Sequence, residues 1–164
     1  IGYLPQTPHL FDGTIAENIA HLALEYDSDS VIHAAQMAGA HEMILGLPMG
    51  YDTPVSAAAP NLSGGQAQRI GLARAVYGTP AIVILDEPNS NLDSDGINNL
   101  TLAVRALKAQ GSAVVIMAHR PSALQECDLA LSLDNGHATA FGPKDHVLHQ
   151  VVANARQIKR ATSA

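Results

Sequence analysis

Residues 81–88 read Ala-Ile-Val-Ile-Leu-Asp-Glu-Pro. An unbroken apolar run of strand length that stops at two carboxylates suits a parallel strand buried on both faces. Residues 113–119 repeat the pattern as Ala-Val-Val-Ile-Met-Ala-His, a second strand of the same buried kind. Between the two, Ile97, Leu100, Val104 and Leu107 recur at helical spacing up to Gly111. Strand, helix and strand in this order predict a layered α/β fold with parallel strands. Ligands of open sheets bind beyond the carboxyl ends of the strands. Asp86, Glu87 and His119 therefore stand where chemistry is expected.

Working outward, residues 1–13 read as a short strand entering a Gly- and Pro-containing loop. Thr14-Ile15-Ala16-Glu17 has capping-box spacing and predicts a helix with Ile15, Ile19 and Leu22 inward. Ser28 or Ser30 is expected to cap a second helix over Val31 to Ala38, and a third short helix covers Glu42 to Leu45. Residues 46–61 hold no clear element. Gly64 to Tyr77 reads as a helix ended by Gly78 and Pro80. Beyond the second strand, Ser122 to Glu126 is a brief helix. Leu129–Leu133 and Ala138–Phe141 form a hairpin around Asp134-Asn135-Gly136. A last helix begins near Pro143 and fades into the polar tail Lys159 to Ala164.

Composition narrows the class. The chain has 164 residues, which fits one domain. Hydrophobic residues make up 47%, enough for a packed core. The net charge of −6 argues against a surface that coats nucleic acid. One cysteine, Cys127, excludes an internal disulfide framework or a multi-cysteine zinc site, and is expected to be a small core residue. No run of about 18 apolar residues occurs, and neither a transmembrane helix nor a signal peptide is expected. The chain opens on Ile1-Gly2-Tyr3-Leu4-Pro5 without a methionine, and is expected to be a piece of something longer. His146 and His149 have the i, i+3 spacing of metal ligands, but a solvated helix face is the better reading.

Three clusters carry chemistry. Leu62-Ser63-Gly64-Gly65-Gln66 opens a helix. Its serine hydroxyl, free N–H groups and helix dipole suit an anion such as phosphate. Taken alone, Ser-Gly-Gly is more often a plain capped helix start. Asp86 and Glu87 diverge because side chains alternate along a strand. One can serve a magnesium ion while the other orients or deprotonates a water. His119 closes the neighbouring strand, where a neutral imidazole can bond a terminal phosphate; an isolated histidine there is more often merely structural.

Together these segments resemble the ATPase domain of ABC transporters. Leu62–Gln66 matches the signature motif, and Ile82–Glu87 resembles Walker B with the catalytic glutamate. Ser90-Asn91-Leu92-Asp93 looks like the D-loop and His119 like the switch histidine. Tyr3-Leu4-Pro5-Gln6 looks like the Q-loop, followed by Phe11-Asp-Gly-Thr-Ile-Ala-Glu-Asn18 as in exporters. The likeness covers about residues 1–150, and residues 87–93 and 118–121 resemble bacterial type I secretion exporters in particular. It implies a partial P-loop NTPase fold with a mainly parallel sheet core and an α-helical subdomain. The implied segments are a Q-loop region over 1–13, a helical subdomain over 14–78, catalytic-core elements over 79–150 and a tail over 151–164.

The resemblance also implies cofactors and roles. ATP and Mg2+ are the expected cofactors. Glu87 is then the general base, and His119 binds the γ-phosphate. Ser63, Gly64, Gly65 and Gln66 hold ATP bound mainly to a second ATPase domain in a homodimer. Asp93 contacts across that dimer. Asp86 and Gln6 hold magnesium, and Gln6 senses the transmembrane domain of the exporter. The implied location is the cytoplasmic face of a bacterial inner membrane, with no nucleic acid bound.

Two departures stand out. No Gly-x-x-x-x-Gly-Lys-Ser/Thr occurs in these residues; in the family that P-loop lies upstream of the Q-loop, as does the aromatic that stacks on adenine. Without it the chain by itself is expected to be inactive. Its exposed strand edges are expected to promote self-association. The loop Thr53-Pro-Val-Ser-Ala-Ala-Ala-Pro60 lacks the Gly- and Glu-containing stretch by which exporters contact the membrane domain. Two alternatives are a DNA-repair or chromosome-organising ATPase, opposed by the charge and the absence of heptads, and a non-catalytic interaction fragment.

Overall fold

The computed structural model describes residues 1–56, 61–119 and 121–152. The alanine-rich loop residues 57–60, Arg120 and the tail from residue 153 onward lie outside them. The chain divides into two compact units, residues 1–119 and 120–164.

The first unit is built on three parallel strands. They are β1 (Gly2–Leu4), β4 (Ile82–Asp86) and β5 (Ala113–Met117), in the order β1-β4-β5. The elements between them are β2 (Gly13–Thr14), α1 (Ile15–Ile19), α2 (Ser28–Met37), α3 (His41–Leu45), β3 (Pro54–Val55), α4 (Gly64–Val76) and α5 (Ser94–Ala109). The registers Leu4↔Leu85 and Leu85↔Ile116 bring the carboxyl ends of all three strands to one edge. The parallel α/β sheet expected from the apolar runs is therefore present.

Burial on both faces is not what these residues show. Gly2, Leu4, Val83 and Leu85 are buried, with Val114 and Ile116 beside them partly so. On the opposite face Tyr3 and Val115 are about half exposed, and Ile84 lies between them in register. Within this unit α4 and α5 pack on the sheet, and the continuous apolar run is covered on one side only. The core joins Leu4 and Leu85 to Ile15, Ile19, Ile70 and Leu107. Each such side chain, once buried, contributes roughly 1.5–3 kcal/mol.

Helix starts follow local chemistry. Thr14 and Glu17 form a reciprocal capping box on α1, and Ser63 and Gln66 form another on α4. In α2 the cap is Asp27 rather than a serine, so the helix starts earlier than expected. The Asp27 carboxylate accepts from the Ser30 amide at 2.9 Å and from the Ser30 hydroxyl at 2.6 Å. Those bonds hold its carboxyl below the usual aspartate range. The stretch 46–61, expected to lack any element, contains a 3₁₀ turn at Gly50–Asp52 and strand β3, which pairs antiparallel with β2. Two-residue strands are too short to show a period of two.

The second unit opens with a 3₁₀ turn, Pro121–Leu124. Antiparallel strands β6 (Leu129–Asp134) and β7 (His137–Pro143) follow, turning at Asn135-Gly136 with both residues at positive φ. Residues 144–152 are helical. His146 bonds Gln150 one turn away, at 3.0 Å. Cys127 is half-buried rather than part of the core; its amide closes the preceding turn on Leu124. No helix among the described residues is long and apolar enough to cross a membrane.

Candidate functional site

Gln6, Glu87 and His119 follow the carboxyl ends of β1, β4 and β5, and the structure brings all three together. The Gln6 amide Nε2 donates to Glu87 Oε2 at 3.0 Å. His119 Nδ1 lies 2.8 Å from Glu87 Oε1. An ionised carboxylate only accepts, so Nδ1 carries the proton and Nε2 is left for a second partner. The His119 side chain is 63% exposed and that of Glu87 25%. A polar ligand can thus reach the imidazole from solvent while the carboxylate stays sheltered.

Glu87 has a backbone φ of +44°, in the left-handed region that side chains other than glycine rarely adopt. Two backbone bonds hold it there. Its amide donates to Met117 O at 2.8 Å, and its carbonyl accepts from Ser90 N at 3.1 Å. The simple alternation expected at the strand end is thereby replaced by a sharp turn that aims Glu87 between its two neighbours. Asp86, the last strand residue, is half-buried. Among the described residues, no hydrogen bond or ion pair ties its carboxylate to the cluster.

The second group surrounds the start of α4. Ser63 Oγ accepts from Gln66 N at 3.3 Å, and Gln66 Oε1 accepts from Ser63 N at 2.8 Å. The amides of Gly64 and Gly65 keep the free first-turn geometry that suits anions. Ser63, Gly65, Gln66, Arg69, Asn91 and Asp93 line a cavity of about 320 Å³. The two glycines differ in their need to be glycine. A Cβ on Gly65 would stand 3.1 Å from the Asn91 carbonyl oxygen, whereas one on Gly64 would meet only the Asn91 side chain at ordinary contact distance. Asp93 Oδ1 accepts from Gly96 N at 2.8 Å, capping α5, and from Arg69 Nη2 at 2.9 Å. The Gly96 amide first, and the Arg69 guanidinium with it, hold the carboxyl below the usual aspartate range.

The residues present fit the expected cofactors. Gln6 turns its nitrogen to Glu87, which leaves its amide oxygen for a hard cation. Asp86 adds a carboxylate. Oxygen donors completed by phosphate and water are the set that magnesium takes. Free helix amides beside a serine hydroxyl are the set that a phosphate takes.

Four further residues organise these groups, and the sequence reading assigned none of them a part. Gln68 is 1% exposed and donates to the Pro88 carbonyl at 3.2 Å. Arg69 holds Asp93. Arg74 donates to the His9 carbonyl at 3.0 Å, and its guanidinium stands 5.4 Å from the centre of the Phe11 ring; burial lowers its proton affinity. Asn18, fully buried, bonds the Phe11 amide at 2.8 Å, the Phe11 carbonyl at 3.0 Å and the Thr14 carbonyl at 2.9 Å. A signal existed for two of them. Gln68 heads the buried stripe Gln68-Leu72-Val76, and Asn18 sits between Ile15 and Ile19 on α1. A polar residue in an apolar helical stripe marks a buried hydrogen bond.

The chain is similar to known proteins. The family model described as ABC transporter matches residues 1–90. The type I secretion system ATP-binding protein PrsD of Rhizobium meliloti (strain 1021) is 48% identical over 160 residues, covering 98% of this chain and 27% of that protein. The ATP-dependent lipid A-core flippase of Saccharophagus degradans is 41% identical over 142 residues, covering 87% of this chain and 24% of that protein. The solved structure of a bacterial Atm1-family ABC exporter with ATP bound superimposes with a TM-score of 0.83 at 32% identity, covering 98% of this chain and 28% of that one. The chain thus spans about a quarter of the length of the relatives it matches. On the family match over its first 90 residues and the fold it shares with an exporter, the chain belongs to the ABC transporter family, with the architecture of an exporter nucleotide-binding domain.

Proposed function

We propose that this chain supplies the signature and hydrolytic elements of an exporter ATPase, and that the whole protein couples ATP hydrolysis to export of the type I protein-secretion kind. The observation that carries this reading is the Glu87 carboxylate held between Gln6 and His119 at the ends of three parallel strands. Glu87 is the general base: its carboxylate takes the proton of an attacking water. His119 contributes its second ring nitrogen to the γ-phosphate. Asp86 and the Gln6 amide oxygen are the protein ligands of magnesium, which when bound neutralises charge on the phosphates. Ser63, Gly64, Gly65 and Gln66 bind the γ-phosphate of ATP held mainly by a second ATPase domain, and Asp93 lies at that interface. The partners are that second domain and a transmembrane domain, at the cytoplasmic face of a bacterial inner membrane.

The 164 residues contain no P-loop lysine, so alone they turn over no ATP. A phosphate-release assay on the purified chain with magnesium and ATP tests this. The expected result is no turnover until a P-loop-bearing polypeptide of the same family is added, and loss of the restored turnover in Glu87→Gln. Hydrolysis by the chain alone, abolished by Glu87→Gln, overturns the inactivity. Restored turnover that is indifferent to Glu87→Gln overturns the role given to Glu87.

A further inference from the structure

The loop between Glu87 and α5 is pinned to α4 by neighbouring residues of that helix. Gln68 Nε2 donates to the carbonyl of Pro88, the residue after Glu87. Arg69 Nη2 donates to Asp93. Gly65, one turn earlier, lets the Asn91 carbonyl approach to a distance that a larger residue would crowd. Gln68 is the unusual member. It is 99% buried, Pro88 is buried with it, and its Oε1 has no hydrogen-bond partner. A carbonyl cannot donate, so the amide orientation is fixed: nitrogen towards Pro88, oxygen unpaired. An orphaned buried acceptor costs about 1–3 kcal/mol. A methionine of nearly the same shape removes that orphan but leaves the buried Pro88 carbonyl without this donor. Packing alone thus gives no reason for glutamine here.

We propose that Gln68 is a positioning residue for Glu87. By holding the Pro88 carbonyl it fixes the peptide that follows Glu87, and so maintains the left-handed Glu87 backbone that aims the carboxylate at Gln6 and His119. Gln68 stands five residues beyond Ser63, on the helix whose first turn lines the anion-binding cavity. A shift of α4 on filling that cavity is therefore carried by one rigid element to the Glu87 turn. The catalytic meaning of this device rests on Glu87 being the general base. The geometric device itself is read without nucleotide, so the two fail separately.

The test is nitrogen-15 NMR of the imidazole of His119 in the full 164-residue chain. In the parent chain the Glu87 carboxylate fixes the Nδ1–H tautomer, and Glu87→Ala, which leaves no acceptor there, supplies the reference for its loss. Gln68→Met is expected to fold with an unfolding temperature close to the parent's, because it removes one unpaired buried acceptor, Gln68 Oε1, and leaves another, the Pro88 carbonyl. Its His119 signals are expected to move to those of the Glu87→Ala reference. Should Gln68→Met not fold, Gln68→Leu, which also lacks a donor for the Pro88 carbonyl, is read in the same way. A folded Gln68 variant whose His119 tautomer stays fixed as in the parent overturns the proposal. So does a variant that loses thermal stability while the Glu87–His119 pairing persists.

Discussion

Asn18 shows how much a single buried amide can hold. It satisfies both backbone groups of Phe11 and caps the carbonyl of Thr14, fixing the segment that follows Gln6. Asn18→Ala removes all three bonds and strands the Phe11 groups. We expect it to cost about 2–3 kcal/mol, measured as a lower urea midpoint at unchanged slope. His21 sets a pH dependence. Burial, and then the nearby Arg74 charge, lower its proton affinity in the folded state. As pH falls, the unfolded chain takes up this proton first. The His21 contribution is complete above the ordinary histidine value of about 6.5 and is lost as pH drops through the lowered one. Thermal melts between pH 7.5 and about 5 should therefore fall less steeply in His21→Gln than in the parent. At this scale the sequence named Glu87 and His119 by type and by strand end, but not the backbone turn that aims Glu87. A left-handed glutamate leaves no mark in composition.

Helix α4 is the element that ties the site together. Gln68 and Arg69 grip the loop after Glu87, and Arg74 grips the loop after Gln6 at His9. Its approach to the sheet needs small residues. A Cβ on Gly2 of β1 would lie 1.7 Å from the Ala75 carbonyl oxygen, which is backbone. Gly2→Ala is expected to destabilise the chain by about 1–3 kcal/mol through overpacking, read as a lower denaturant midpoint. It should also loosen the Gln6–Glu87 bond, because β1 carries Gln6. Elements of ten residues or more were legible in the sequence, α4 and α5 from periodicity and caps. The two-residue strands were not: β2 and β3 exist only because Gly13 meets Val55 and Thr14 meets Pro54, a pairing that no local pattern records. The start of α2 lies earlier than a Ser28 or Ser30 cap predicts, because Asp27, just before them, accepts from the Ser30 amide and caps the helix.

At the scale of the molecule, the parallel sheet was legible because its two apolar runs have no polar interruption. Its one-sided covering was not, since the same runs suit a strand buried on both faces. The open face has a consequence for behaviour in solution. Among the described residues β5 pairs with a strand on one side only, and its Val115 and Met117 are 49% and 43% exposed, a surface of the kind that templates association. We expect concentration-dependent self-association by light scattering, reduced in Val115→Lys; a monomer at all concentrations sinks this expectation. The strand order also dictates timing. The bonds that gather Gln6 and His119 onto Glu87 span 81 and 32 residues, and loops of that reach close slowly. During synthesis Glu87 leaves the ribosome 81 residues after Gln6, and His119 a further 32 residues later. The Gln6–Glu87–His119 cluster thus cannot close until β5 has emerged, and a prematurely terminated product that ends before β5 carries the Glu87 carboxylate without the His119 imidazole.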